Sequence, residues 1–454
     1  MSPLRFSSVM PPGLSRASTP STGAWKDVDG RDEPGHDDTV VVQFRNGSTW
    51  MRPVAAFAFG AALLALAAPA SAQMKKHHHA AEASCPEARL ACAKTATPTF
   101  GADGRLWLAW ASEGKVMVAS SADLGRSFGA PVPVDKQPAK LDWGPDSRPR
   151  IVVDRAGRIV VAYTIFKDDK FNGEVLVTRS TDGGASFAPP RPLSDDAASQ
   201  RFVSLAEDPA GGILAAWIDK RNATKAKRAG EKYPGAALAY ARSADGGETY
   251  ETARIAIDNS CECCRIGLAF AGPGRAAAIF RNVFEGGVRD HAVVTFENGA
   301  PGPLHRVSVD AWMIDGCPHH GPGLAVAADG TNHATRFTDG SARQGAFYAR
   351  STDGGKTFSA PLALGSPDRQ AGRAHVLAAG SDVWVAWQEF DGDRTTILTR
   401  VSHDNGATWS APAIAAETKD EADHPLLVGD GRRVFLSWLS KDEGYRLISL
   451  GDAS

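Results

Sequence analysis

Cys261, Cys263 and Cys264 fall within four consecutive positions, and Cys317 opens a second short run, Cys317-Pro-His319-His320. Sulfur and imidazole donors at such spacing suit Cu(I) or Zn(II). The same cysteines suit two structural disulfides, one of them across the two runs from Cys264 to Cys317, because a bond between adjacent Cys263 and Cys264 would be strained. His319 and His320, beside Asp315, are equally suited to acid–base work or to orienting a ligand. A second class of candidates is cationic: Arg150, Arg201, Arg281, Arg289 and Arg373, with Asp290 and His375 beside them in the chain. Arginine carries a permanent charge on a planar fork that matches carboxylates, so a converging set would hold an anion. The alternative is that each pairs with a nearby Asp.

Residues this far apart act together only if the fold returns each of them to one place. The sequence carries a device for that. Ser121-Ala-Asp-Leu-Gly-Arg-Ser-Phe128, Ser180-Thr-Asp-Gly-Gly-Ala-Ser-Phe187, Ser243-Ala-Asp-Gly-Gly-Glu-Thr-Tyr250, Ser351-Thr-Asp-Gly-Gly-Lys-Thr-Phe358 and Ser402-His-Asp-Asn-Gly-Ala-Thr-Trp409 share the pattern Ser-x-Asp-x-Gly-x-Ser/Thr-aromatic. Five copies of so constrained a string mark an internal repeat. Asp closes a tight turn on nearby N–H groups, Gly supplies the positive φ, and the aromatic enters the core as the next strand begins. A β-rich run precedes each copy, so each octamer is expected to turn the chain between two strands. The gap from Asp245 to Asp353 is about twice the others, which places a repeat without an octamer in residues 264–310. Seven apolar hairpins recur, from residues 99–110 to 426–438, several ending in Ala-Trp, and read as inner strand pairs. The last unit stops one strand short of four. Residues 220–232 read as a basic loop inside the third unit.

These octamers resemble the Asp boxes (bacterial neuraminidase repeats) of the sialidase superfamily, over most of residues 98–454. The resemblance implies an all-β protein: a β-propeller of four-stranded antiparallel blades with the boxes on the outer rim, away from the active site. The hairpin count gives seven blades, with six as the alternative. Residues near 88–97 are expected to close the ring by adding the missing strand to the last blade. The turns holding Asp123, Asp182, Asp245, Asp353 and Asp404 then define one rim. Connections between blades open on the other, bringing Asp142-Trp143, Asp146, Arg148-Pro-Arg150, Arg201, Cys261 to Arg265, residues 310–322, Arg373, His375 and Asp423-His424. Second-to-third-strand turns add Arg281-Asn282, Arg289-Asp290, Arg336 and Glu389. The resemblance also implies three arginines on a substrate carboxylate, and Arg150, Arg201, Arg281 and Arg373 stand where that set is expected. A sialidase further uses a Tyr nucleophile with a Glu base and an Asp acid. The family's Phe-Arg-Ile-Pro string is absent, Arg148-Pro-Arg-Ile151 being the nearest, and the sequence places no Tyr–Glu pair.

A chain of 454 residues with 43% hydrophobic content can bury a large core, and 46 Gly and 28 Pro fit many turns. A formal charge of −2 marks neither a nucleic-acid binder nor a membrane-surface protein. Residues 1–50 read as an extension upstream of a start at Met51. Met51-Arg-Pro, an apolar run over 54–68 and Ala70-Ser-Ala72 read as a signal peptide, 51–72, with a membrane anchor as the alternative. Residues 73–97 become linker and closing strand, and 98–454 the propeller. Periplasmic or secreted placement follows, with no membrane span after cleavage. Export makes disulfides the default for the six cysteines, Cys85 pairing with Cys92. The expected protein is a monomer that binds an anionic or glycan ligand opposite the boxes, with copper or zinc, or disulfides, at the Cys/His cluster. An exo-α-sialidase or related glycoside hydrolase is the alternative.

Overall fold

A computed structural model describes residues 90–93, 95–314, 316 and 318–453. The expected extension, signal peptide and most of the linker lie outside the described residues, as do Cys85, Asp315 and Cys317. The described chain is all-β, with a single α-helix and several four-stranded antiparallel sheets. The strands fall into consecutive groups: residues 97–133, 141–192, 200–260, 267–306, 323–364, 372–418 and 426–452. The third and fourth groups join through a single pair, Ser260 and Asn282. In the second group the first strand is split into Leu141–Asp142 and Arg150–Val153, both pairing with Ile159–Phe166. The interruption throws residues 143–149 out of the sheet.

Every octamer forms the turn between the third and fourth strands of its group. In each, the first Ser donates to one oxygen of the Asp at 2.7 Å. The same Ser accepts the N–H of the fifth-position Gly at 2.8–2.9 Å. The Ser/Thr hydroxyl donates to the other carboxylate oxygen at 2.5–2.6 Å. The fifth position must be Gly for two reasons: Gly184 has φ +83°, and a Cβ there would lie 2.7 Å from Trp107 of the preceding group. That contact leans each octamer on its neighbour. Gly247 meets Val160, Gly406 meets Tyr348, and Gly125 of the first group meets Tyr445 and Leu447 of the last.

These bonds favour the carboxylate form. The hydroxyl and N–H of Ser127 and the hydroxyl of Ser121 hold Asp123 at about 2, and the partners Ser186 and Ser180 do the same for Asp182. A depressed folded-state value contributes stability above the unfolded value near 4 that is lost as pH falls toward 2. Thermal stability should therefore fall over that window, and Asp182→Asn should show a shallower acid slope than wild type when Tm is followed by circular dichroism. An unchanged slope would refute the assignment.

The core lies between the groups. Trp110, Trp217, Trp387 and Trp438 sit at equivalent places on second strands and are fully buried. Residues two apart on a strand share a face, so Asp219 accepts the indole N–H of Trp217 and Glu389 that of Trp387.

Two expectations change, and one is filled in. Residues 88–97 add no fourth strand to the last group among the described residues. Leu90–Cys92 is instead a 3-10 turn, whose i, i+3 spacing sets Leu90 and Ala93 on one side against the cluster of Leu106, Trp110 and Met117 that Tyr445 and Leu447 also join. The repeat without an octamer is four-stranded as expected, but its last turn is Asn298-Gly299, both at positive φ, the usual two-residue hairpin signature. The basic loop is the helix Arg221–Ala229, opened by Asp219 on the N–H of Arg221 and ended by left-handed Gly230.

Candidate functional site

The octamers follow third strands and the connections between groups follow fourth strands. Antiparallel pairing therefore puts octamers and connections at opposite ends of each sheet. At the connection end, side chains from distant connections meet on Arg265. Its guanidinium donates to Asp146 at 2.8 Å and to the carbonyls of Pro322 and Ala374 at 3.1 and 3.0 Å, and it lies 3.3 Å from Nδ1 of His424. Asp146 also accepts the N–H of Gly321 at 3.2 Å. Beside this hub, Arg148 forks onto Asp423 at 2.9 and 2.6 Å, and the backbone N–H and C=O of Ala96 close the same cluster.

Arg150 lies next to these groups and binds only the Val203 carbonyl, at 3.1 Å; among the described residues it makes no ion pair. Burial, then Arg148 and Arg265, push its pKa down from the usual arginine value. Burial followed by Arg265, Arg150 and Arg148 pushes His375 down to about 3, where its Nδ1 accepts the N–H of Leu427. His320 and His424 are pushed well below the ordinary histidine value by burial and then Arg373. Burial raises Asp146, but Arg265, Arg373 and His319 outweigh it and hold the carboxyl low. Among the described residues, Arg148 and Arg265 pair with Asp423 and Asp146, Arg150 adds a further guanidinium, and His320, His375 and His424 are held neutral.

Local backbone aims two of the sequence-selected arginines. The first strands of the third and sixth groups each slip register, between Arg201 and Ser204 and between Gly372 and His375. Phe202 and Arg373 sit at φ +57° and +55° in these bulges. Bulges re-aim side chains, and a bulky residue at positive φ persists only where its surroundings hold it. Arg201 is thereby turned onto Asp142, with bonds of 2.6 and 2.9 Å, and lies over the rings of Phe166 and Phe202. Exposed Trp143 is next in the chain. His319 is exposed and 6.1 Å from the Phe202 ring, whereas His320 stacks on Phe337 at 4.1 Å.

Arg281 and Arg289 belong to a second cluster. The turn Cys261 to Cys264 is tied to the next group by the Cys261 N–H on the Arg281 carbonyl, and Glu262 points outward to an ion pair with Lys220. The three thiols point inward, 1–3% exposed, and lie within 4.8 Å of one another. None of the three is in a disulfide, so the disulfide alternative does not describe them; Cys92 is disulfide-bonded. Arg289 reaches Cys261 Sγ at 3.5 Å. Arg281, fully buried over the Trp312 ring at 4.3 Å, donates to the Pro318 and His320 carbonyls. Hydrogen bonds from the other two thiols, then the two arginines, push Cys261 strongly toward thiolate, while the hydrogen bond to Cys261, then burial, push Cys264 up. Asp290, selected as a ligand group, is occupied: it takes Arg306 and the N–H groups of Asp310, Ala311 and Trp312. Arg336 is spent on Asp310.

No family model matches the sequence, and no curated protein matches it. Solved structures do. An ulvan lyase of a new polysaccharide lyase family, bound to -[GlcA(1-4)Rha3S]-, matches with TM-score 0.53 and 10% identity over 81% of this chain and 96% of that one. The same lyase family without that ligand gives 0.50 and 11% over 78% and 93%. A Hadza microbial sialidase gives 0.44 and 16% over 77% and 73%. The likeness shows the fold alone: an all-β, propeller-like arrangement shared with that lyase.

A shared fold fixes no activity by itself. The sialidase reaction runs through a tyrosine, and all six tyrosines here are placed. Tyr163, Tyr240 and Tyr348 are core residues, Tyr250 is an octamer aromatic, Tyr445 bonds Ser437, and Tyr233 bonds Asp258. None touches the arginine cluster. The sequence reading passed Arg265, Asp146 and Asp423 with the rest of their connections and did not select them. Adjacency to Cys264 was the signal for Arg265.

Proposed function

We propose that the protein is an exported, monomeric, seven-bladed closed propeller that binds an acidic glycan at the end opposite the octamers, with copper or zinc at its three thiols. The observation that carries this reading is the buried guanidinium of Arg150 where the connections meet, which makes no ion pair among the described residues. Arg150 is the pivotal residue, since it adds a fork without a carboxylate partner. Neutral histidines beside it offer ring nitrogens to sugar hydroxyls. Exposed Trp143 offers an aromatic face to a sugar ring. The ulvan lyase of the same fold is bound to a glucuronate and sulfated-rhamnose unit, a ligand with two anionic groups.

Calorimetry with a sulfated, uronate-containing oligosaccharide and with a neutral oligosaccharide of equal length tests this. The acidic sugar should bind and the neutral one should not. Arg150→Ala should weaken binding about ten- to hundred-fold, matching the ~1.5–3 kcal/mol of a charge-assisted hydrogen bond. Because the central histidines are already neutral, affinity should stay flat from about pH 5.5 to 8. Equal binding of both sugars, or an Arg150→Ala protein that folds and binds normally, would sink the reading.

A further inference from the structure

We propose that the helix Arg221–Ala229 and the turn after it form a cationic arm that engages acidic sugars further along a polymer whose end is held at the arginine cluster. The proposal rests on the reading of that cluster as an acidic-glycan site and makes the ligand a polymer rather than a single terminal sugar. Residues 220–232 carry six basic side chains and one acid, Glu231, in a protein whose formal charge is −2. Lys220 and Arg221 are committed, to Glu262 and Asp219. Lys225, Lys227, Arg228 and Lys232 are exposed, while Ala226 turns inward. Helix stability does not account for these charges. Arg221 and Lys225 are four apart and Lys225 and Arg228 three apart, spacings at which like charges repel. Nine residues make a marginal helix by themselves, so this one depends on its ends, where Asp219 takes the N–H of Arg221 and Gly230 donates to the Lys227 carbonyl. Lys227 and Arg228 suit the negative end of the helix dipole, but Lys225 and Lys232 do not share that role.

Position links the arm to the cluster. The helix stands between the second and third strands of the third group, hence at the connection end. Its base is tied to the strand that carries Arg201: Lys220 donates its N–H to the Ser199 carbonyl at 2.9 Å, and Asp219 pairs with Gln200. From Arg201 the contacts continue through the Phe202 ring to His319, 6.1 Å from that ring and close enough to Asp146 to act on its carboxyl. An anion laid along the exposed helix face relieves the repulsion among its cations. A polymer with an acidic group in every repeat supplies such anions in series, one to the cluster and others to the arm.

The full protein should be titrated with a sulfated, uronate-containing disaccharide and with a long chain of the same repeat. The long chain should bind on the order of 100-fold more tightly, the lower end of what a linked second contact adds. A longer chain also offers more copies of the repeat, so the decisive comparison is a variant carrying Lys225→Gln, Lys227→Gln, Arg228→Gln and Lys232→Gln together. Glutamine keeps the helix propensity, and circular dichroism checks the fold. Most of the gain from length should vanish in that variant, and in wild type at about 1 M salt, where exposed charges are screened beyond about 3 Å. Arg150→Ala should weaken both ligands. A variant that keeps the full gain overturns the arm and leaves the arginine cluster as the glycan site. Tighter, helix-dependent binding of duplex DNA or of phosphatidylserine vesicles overturns the sugar as the occupant of the arm. Failure of both sugars to bind overturns the underlying glycan reading.

Discussion

Asp423→Ala should lower the unfolding free energy by about 3–5 kcal/mol, the cost of stranding a buried charge. Arg148 and Asp423 have side chains 1% and 2% exposed and form a forked pair between the interruption in the first strand of the second group and the connection before the last group. Asp423 also takes the N–H groups of Ala96 and His424. Truncation leaves a buried guanidinium with only the carbonyls of Pro145 and Ala96. It also removes the bond that ties the start of the described chain to its last group. Arg148→Met with Asp423→Leu should recover much of the loss, because replacing both partners leaves no unpaired charge. Urea unfolding of the three variants decides the matter. A loss below about 1 kcal/mol would place the pair in the surface class and remove its role as a clasp.

Arg265→Met is expected to cost a similar ~3–5 kcal/mol, with a distinct dependence on pH. The pair it breaks is 7% and 2% exposed. Without Arg265 the burial that already raises Asp146 is opposed mainly by Arg373 and His319, so its folded-state pKa rises. A carboxyl raised above its unfolded value of about 4 penalises the folded state once it ionises, so the penalty is present at high pH and fades as pH falls through the raised value. The stability gap between wild type and Arg265→Met should therefore be wider at pH 8 than at pH 5. Asp146→Asn with Arg265→Met should remove that pH dependence. A gap of constant size would show that Arg265 acts through packing alone. The same substitution should weaken acidic-glycan binding, since Arg265 places the His424 ring and the Pro322 and Ala374 carbonyls around the arginine cluster.

The repeat was legible in the chain because its stabilising bonds are local. Ser180, Asp182, Gly184 and Ser186 satisfy one another within a single turn. Any sequence carrying the octamer therefore carries the turn, the strands on either side and the end of the sheet they leave free. Thiol spacing was legible for the same reason: Cys261, Cys263 and Cys264 alternate with an outward Glu262 inside one turn. The identity of the partners was not. Asp423 lies 275 residues from Arg148 and Asp146 lies 119 from Arg265, and nothing in either neighbourhood names the other. Asp290 and Arg336 looked as available as Arg150 until the fold spent the first on a turn and the second on Asp310. The N-terminal segment went the same way, with apolar Leu90 and Ala93 finding a cleft between the first and last groups rather than a sheet edge. By itself the sequence determined the strands, the turns and which end of each sheet carries the octamers, since those follow from contacts a few residues long. Which arginines keep a free fork was decided only by tertiary structure, because ion pairing at the meeting point of the connections depends on distances that no local pattern encodes.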